Sequence, residues 1–99
     1  MIIQKNDDCM TVRLTGDIDH HTAKNIRETV DNEITQHRPK SLVLDFSDVP
    51  FMDSSGIGLV MGRYKLIAPS GGKMTIKGTT RHTKRVMIMA GLDKLANIL

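Results

Sequence analysis

Asp53, Ser54 and Ser55 stand between Val49-Pro50-Phe51-Met52 and Gly56-Ile57-Gly58. One carboxylate and two hydroxyls thus fall where an extended run turns into a helix. The first four N–H groups of a helix lack internal partners, and the helix dipole adds partial positive charge there. Such a spot tolerates a phosphate. Gly56 and Gly58 remove side chains beside the serines, so another protein's backbone can come close. Three chemistries fit: a serine here can cap the helix, attack a substrate, or accept a phosphoryl group.

Capping is the commonest role for these residue types and is worth ~1 kcal/mol against Ala. The trio holds more cap candidates than one helix end needs. Capping therefore accounts for one of them, Asp53 or Ser54. A serine hydrolase would need a general base and an oxyanion hole. The Gly-x-Ser-x-Gly elbow is absent, because Met52 lies two before Ser54 and Asp53 two before Ser55. Of His20, His21, His37 and His82, only His20 and His21 fall in a loop expected near the strand ends. Those two, with Asp17 and Asp19, form the best candidate metal cluster. Adjacent histidines point different ways, however, and helix ligand pairs want i, i+4 spacing. No Gly-x-x-x-x-Gly-Lys-Ser/Thr loop is present for a nucleotide. We expect neither a metal nor a cofactor.

Those groups must be positioned by a small fold. With 99 residues the chain has room for one core, and we read 1–99 as a single domain. Aromatic residues are 3% and Met numbers 7, so the core leans on adaptable side chains. The net charge of +3 is modest, and the basic residues are scattered apart from Arg81, His82, Lys84 and Arg85. Nucleic-acid binding would need a stronger basic stripe and stacking aromatics, so no direct nucleic-acid contact is expected. The single Cys9 fits a reducing compartment. No apolar stretch approaches the ~20 residues needed to span a bilayer, and no signal peptide is evident. We read the chain as cytoplasmic and not membrane-bound.

Met10 to Thr15 alternates apolar and polar, the pattern of a half-buried strand. Ile2-Ile3 begins an earlier strand, joined to it by a turn at Asn6-Asp7-Asp8. Thr22 is the expected N-cap of a helix to about His37, with Ala23, Ile26, Val30 and Ile34 on its apolar face. Lys24, Arg27, Glu28, Asp31 and Glu33 read as its solvated face. Leu42-Val43-Leu44 predicts a strand buried on both faces. Asp45 to Pro50 then reads as a loop to the serine block. A second helix is expected from Ser54 or Ser55 to Ile67, a strand at Met74–Ile76, and a third helix over about 80–90 with Gly91 at its C-terminal end. Leu95 and Ile98 belong to a final element whose type the pattern does not specify. The order β-β-α-β-α-β-α implies an α/β fold, a mixed β-sheet flanked by helices.

The second helix distributes its apolar groups unusually. At ~100° per residue, Ile57, Val60, Met61, Tyr64, Ile67 and Ala68 share one side, while Leu59 and Leu66 fall nearly opposite. Either the helix is buried more than halfway round, or Leu59 and Leu66 form an exposed apolar strip of the kind that marks partner surfaces.

Two blocks together resemble a known family. Leu14-Thr15-Gly16-Asp17-Ile18-Asp19-His20-His21-Thr22-Ala23 and Phe51-Met52-Asp53-Ser54-Ser55-Gly56-Ile57-Gly58, the latter continued by Gly62-Arg63-Tyr64-Lys65, are similar to the anti-sigma factor antagonists of the STAS domain family, sporulation-type members above all. The resemblance runs from the first strands to Gly91-Leu92. It implies a small sheet with helices on one side, and a regulator rather than an enzyme. It implies two protein partners: an anti-sigma factor serine kinase, and a metal-dependent serine phosphatase that reverses its action. Ser54, directly after Asp53, would be the phosphorylated residue, with Ser55 its neighbour. Asp19, His20, Asp53, Ser55, Gly56, Gly58 and Leu59 would belong to the partner-binding surface. A STAS module of a stress-response or transporter-regulating complex would carry much the same sequence, and a serine hydrolase is the rival from another class. The basic opening of the third helix, Thr79-Thr80-Arg81-His82, is not one its dipole favours.

Overall fold

The computed structural model describes residues 1–99. Strand β1 (Ile2–Asn6) turns through Asp7-Asp8 into β2 (Cys9–Thr15), an antiparallel hairpin in which Asp7 takes the left-handed conformation at φ 55°. The chain continues through α1 (His20–His37), β3 (Ser41–Asp48), α2 (Ser54–Ile67), β4 (Lys73–Lys77), α3 (Arg81–Met89) and β5 (Asn97–Ile98). Short 3-10 turns at Ala68–Ser70 and Leu92–Lys94 close the last two helical segments.

The spatial order of the strands is their order in the chain, β1 to β5, and β2 through β5 are mutually parallel. Each parallel step is a strand–helix–strand crossover to the next neighbour. Such crossovers are right-handed, so three steps in one direction lay all three helices on one face. Burial along the strands agrees. Met10, Val12 and Leu14 of β2, Leu42, Leu44 and Phe46 of β3, and Met74 and Ile76 of β4 are all buried, while the intervening residues are not. Ile26, Val30 and Ile34 of α1, Val60 and Ile67 of α2, and Met87 of α3 complete one continuous core with them.

Several boundaries differ from those read in the sequence. Val43 is only half-buried, because its face of the sheet carries no helix; β3 is covered on one side, not two. Strand β3 also runs on through Phe46 to Asp48, where a loop was expected, since Phe46 continues the inward alternation. Helix α1 starts at His20 with Asp19 as its N-cap, and Thr22 is the third helical residue, closing the capping box, rather than the cap. Met61, expected on the buried side of α2, is exposed. The final element is a 3-10 turn followed by the two-residue β5. No helix is long and apolar enough to cross a membrane.

Because β2, β3 and β4 run in parallel, the loops leading from them into α1, α2 and α3 lie at one end of the sheet. In open α/β sheets this carboxyl end is where ligand and partner sites concentrate.

Candidate functional site

At that end the two motif blocks become neighbours. Gly16 N–H donates to the Asp48 carbonyl at 2.9 Å as the chain leaves β2. Ile18 then donates its N–H to the Phe51 carbonyl at 3.0 Å and accepts from Asp53 N–H at 3.0 Å, forming a parallel bridge to Met52. The Ile18 side chain is fully buried, so this loop is pinned from below as well as from its side. Residues separated by some thirty positions thus form one continuous surface.

Asp53 resolves the capping question. Its backbone is extended and its carboxylate accepts the Ser55 N–H at 2.8 Å. Ser54 is the first helical residue; it is exposed, and capping leaves its hydroxyl uncommitted. Ser55 is half-buried one position further on. Asp19 does for α1 what Asp53 does for α2. Its carboxylate accepts from His21 N–H and Thr22 N–H, both at 2.9 Å, and Thr22 Oγ1 accepts the Asp19 N–H at 2.8 Å. The N–H of Thr22 above all, with that of His21, holds the Asp19 carboxyl below the usual carboxylate range. His20 is exposed at the start of α1, its ring edge-on to that of His21 at 5.8 Å.

The two glycines part company. Gly56 is buried, and a Cβ there would strike the Met52 side chain. Its bareness lets Met52 fold over the first turn of α2, a need internal to the chain. Gly58 is exposed, and a Cβ there would meet nothing within 4 Å.

Of the two readings of α2, the helix buried more than halfway round is the one observed, and there is no apolar strip. Leu59 is 4% exposed and belongs to the core; Leu66 is 45% exposed but stands alone. Leu59 therefore offers a partner almost no exposed surface. Helix α2 touches both the sheet and α1, so its covered arc is wider than one face.

Sequence reasoning missed Arg63 and Phe51. Arg63 is buried on α2, donates to the Leu59 carbonyl at 3.2 Å, and reaches across to Asp31 of α1. The closest approach, Nε to Oδ1 at 2.7 Å, is an ionic contact rather than an aligned hydrogen bond. Burial pushes the guanidinium pKa down while Asp31 opposes the shift. Asp31 is therefore an inter-helix partner, not part of a solvated face. Arg63 also lines a groove of about 500 Å³ between α1 and α2, together with His20, His21, Lys24, Arg27 and Ser55. A lone arginine inside the apolar run of α2 was the available signal. Phe51 is 57% exposed directly beside Met52, with no periodicity to mark it.

The description of the STAS domain matches residues 1–98, and the chain belongs to that family. It is 39% identical over 89 residues to an anti-sigma F factor antagonist of Paenibacillus polymyxa, covering 90% of this chain and 76% of that one. It is 26% identical over 96 residues to an anti-sigma-B factor antagonist of Bacillus subtilis, covering 97% and 86%. Among solved structures, the phosphorylated form of the Bacillus cell fate determinant SpoIIAA superimposes with a TM-score of 0.78 at 26% identity, covering 99% of this chain and 89% of that one.

Proposed function

We propose that this protein is an anti-sigma factor antagonist that works as a two-state binding switch. Unmodified, it binds an anti-sigma factor serine kinase and so releases a sigma factor. Phosphorylation of Ser54 ends that binding, and a serine phosphatase restores it. The observation that carries this reading is the exposed Ser54 hydroxyl at the first position of α2, left free because Asp53 does the capping. Its relatives in Paenibacillus and Bacillus bear the antagonist name, and SpoIIAA has a phosphorylated form.

Docking uses the surface around Ser54. Gly58 supports this: Gly inside a helix costs ~1 kcal/mol against Ala, and nothing within the chain occupies the space it leaves. Phe51 offers the apolar contact once assigned to Leu59. Asp53 and the Asp17–Asp19 loop lie on the same surface. A phosphate adds about −2 charge and three acceptor oxygens there. Asp53 already engages the Ser55 N–H, so the helix end has less left to offer a phosphate than a bare N-terminus. One like-charge pair at ~4 Å costs ~1 kcal/mol in water and ~4 kcal/mol at an effective dielectric of ~20. A near-complete switch needs ~5.5 kcal/mol. Charge and bulk together reach that range without a large rearrangement.

The hydrolase reading gains no support, since neither serine hydroxyl meets a histidine within hydrogen-bond distance. The test is incubation with ATP, magnesium and the anti-sigma kinase from the same source, followed by mass spectrometry. Stoichiometric phosphate on Ser54 with loss of kinase binding is the expected outcome. A Ser54→Ala protein should stay folded, bind the kinase and take up no phosphate. Phosphate incorporated at the normal rate in that variant would sink the assignment.

A further inference from the structure

Charge is unevenly divided along this chain. Residues 1–53 carry ten Asp or Glu against six Lys or Arg, and residues 54–99 carry eight Lys or Arg against the single acid Asp93. The cations gather most densely on α3, in Arg81, Lys84 and Arg85, with His82 among them in sequence. None of them takes part in the ion pairs of the fold, which use Lys5, Arg13, His37, Lys40 and Arg63.

Only Thr83 and Met87 of α3 are fully buried. The next turn brings Ile88 and Met89 out to 43% and 80% exposure. At 100° per residue, Arg81, His82, Lys84, Arg85, Ile88 and Met89 fall within an arc of roughly 160°. One face of the helix thus presents cations at its start and aliphatic groups at its end. The cations oppose the dipole of their own helix, and Thr80 satisfies only the Thr83 N–H. The fold itself gains nothing from placing them there.

We propose that this face of α3 docks an acidic, amphipathic helix of a protein partner. Carboxylates of that helix face Arg81, Lys84 and Arg85, and its aliphatic groups cover Ile88 and Met89. The patch spans about 13 Å, the length of two to three helical turns. Charge complementarity selects an acidic occupant. A protein fits better than a lipid surface, because interfacial membrane helices rely on Trp, Phe and Leu, and this face has none. Methionine instead suits a surface that adapts to a partner helix. The proposal is independent of Ser54 phosphorylation.

The test uses a fluorescent 14-residue peptide with Glu and Leu at helical spacing, a scrambled peptide of the same composition, and vesicles rich in phosphatidylglycerol. Anisotropy should show the amphipathic peptide binding about tenfold more tightly than the scrambled one, and more weakly as salt rises. Arg81→Glu with Arg85→Glu should reduce binding about tenfold or more, as should Met89→Glu. Arg81→Lys with Arg85→Lys should retain most of it. Circular dichroism checks folding, and Met89→Ser serves if Met89→Glu fails to fold. No preference for the amphipathic peptide, or equal binding by the charge-reversed protein, would overturn the proposal. So would vesicle binding that disappears in the same variants while the peptide fails to bind.

Discussion

Helices α2 and α3 begin alike in topology and opposite in charge. Each leaves the carboxyl end of a parallel strand, each has a side-chain N-cap, and their first residues are Ser54 and Arg81. Behind Ser54 stands a carboxylate cap, followed by a neutral first turn that includes the buried Gly56. Behind Arg81 stands a neutral cap, followed by more cations. On the proposed reading the first start changes charge by modification, whereas the second carries a fixed charge its own helix does not want. Equivalent positions in one repeating crossover thus differ in charge, set by the first turns of the two helices.

Adding charge to the α2 start should have the largest effect. Ser54→Asp should weaken kinase binding roughly a thousandfold, about 4 kcal/mol, by titration calorimetry. Unchanged affinity would mean that bulk or phosphate geometry, rather than charge, drives release. Gly78 tests how the α3 start is held. It lies at φ 75°, and a Cβ would come within 2.6 Å of Asp45 Oδ1 and 2.7 Å of the Ser47 nitrogen. Gly78→Ala should cost about 3 kcal/mol in urea unfolding, combining left-handed strain with the clash. Asp53→Ala removes the α2 cap and should cost about 1 kcal/mol, lowering Tm by a few degrees. Asp53→Asn should restore most of that loss. Arg81→Glu is the smallest and runs the other way: relieving the dipole should stabilise the protein by about 0.5 kcal/mol. A loss of stability there would reveal an intramolecular role for Arg81.

The hairpin, the alternating β2 and the apolar face of α1 were legible because each has a period that burial on one side enforces. Asp53, Ser54 and Ser55 were legible as a helix start because caps need particular side chains. Other features depend on contacts between elements. Leu59 sits opposite the main apolar side of α2, and only the packing of α1 beside it decides that it is buried. The burial of Arg63 depends on Asp31 of α1, 2.7 Å away and 32 positions earlier in the chain, which no local pattern in α2 reveals. Strand β5 is two residues held by backbone pairing to Thr75 and Ile76, which leaves no side-chain period to read. Val43 joined an apolar run, but no helix covers its face.

The Ile18–Met52 bridge bears on the entropy and speed of recognition. Fixing one residue's backbone costs roughly 1–2 kcal/mol at room temperature. On the proposed function, the loops 16–19 and 49–53 meet a partner already tied to each other by paired N–H and carbonyl groups. Little of the interface energy is then lost to ordering them, and encounter requires no loop search beforehand. Association should fall in the ordinary range for preformed surfaces, ~10⁵–10⁷ M⁻¹s⁻¹, with the phosphorylation state read out mainly in how fast the complex comes apart.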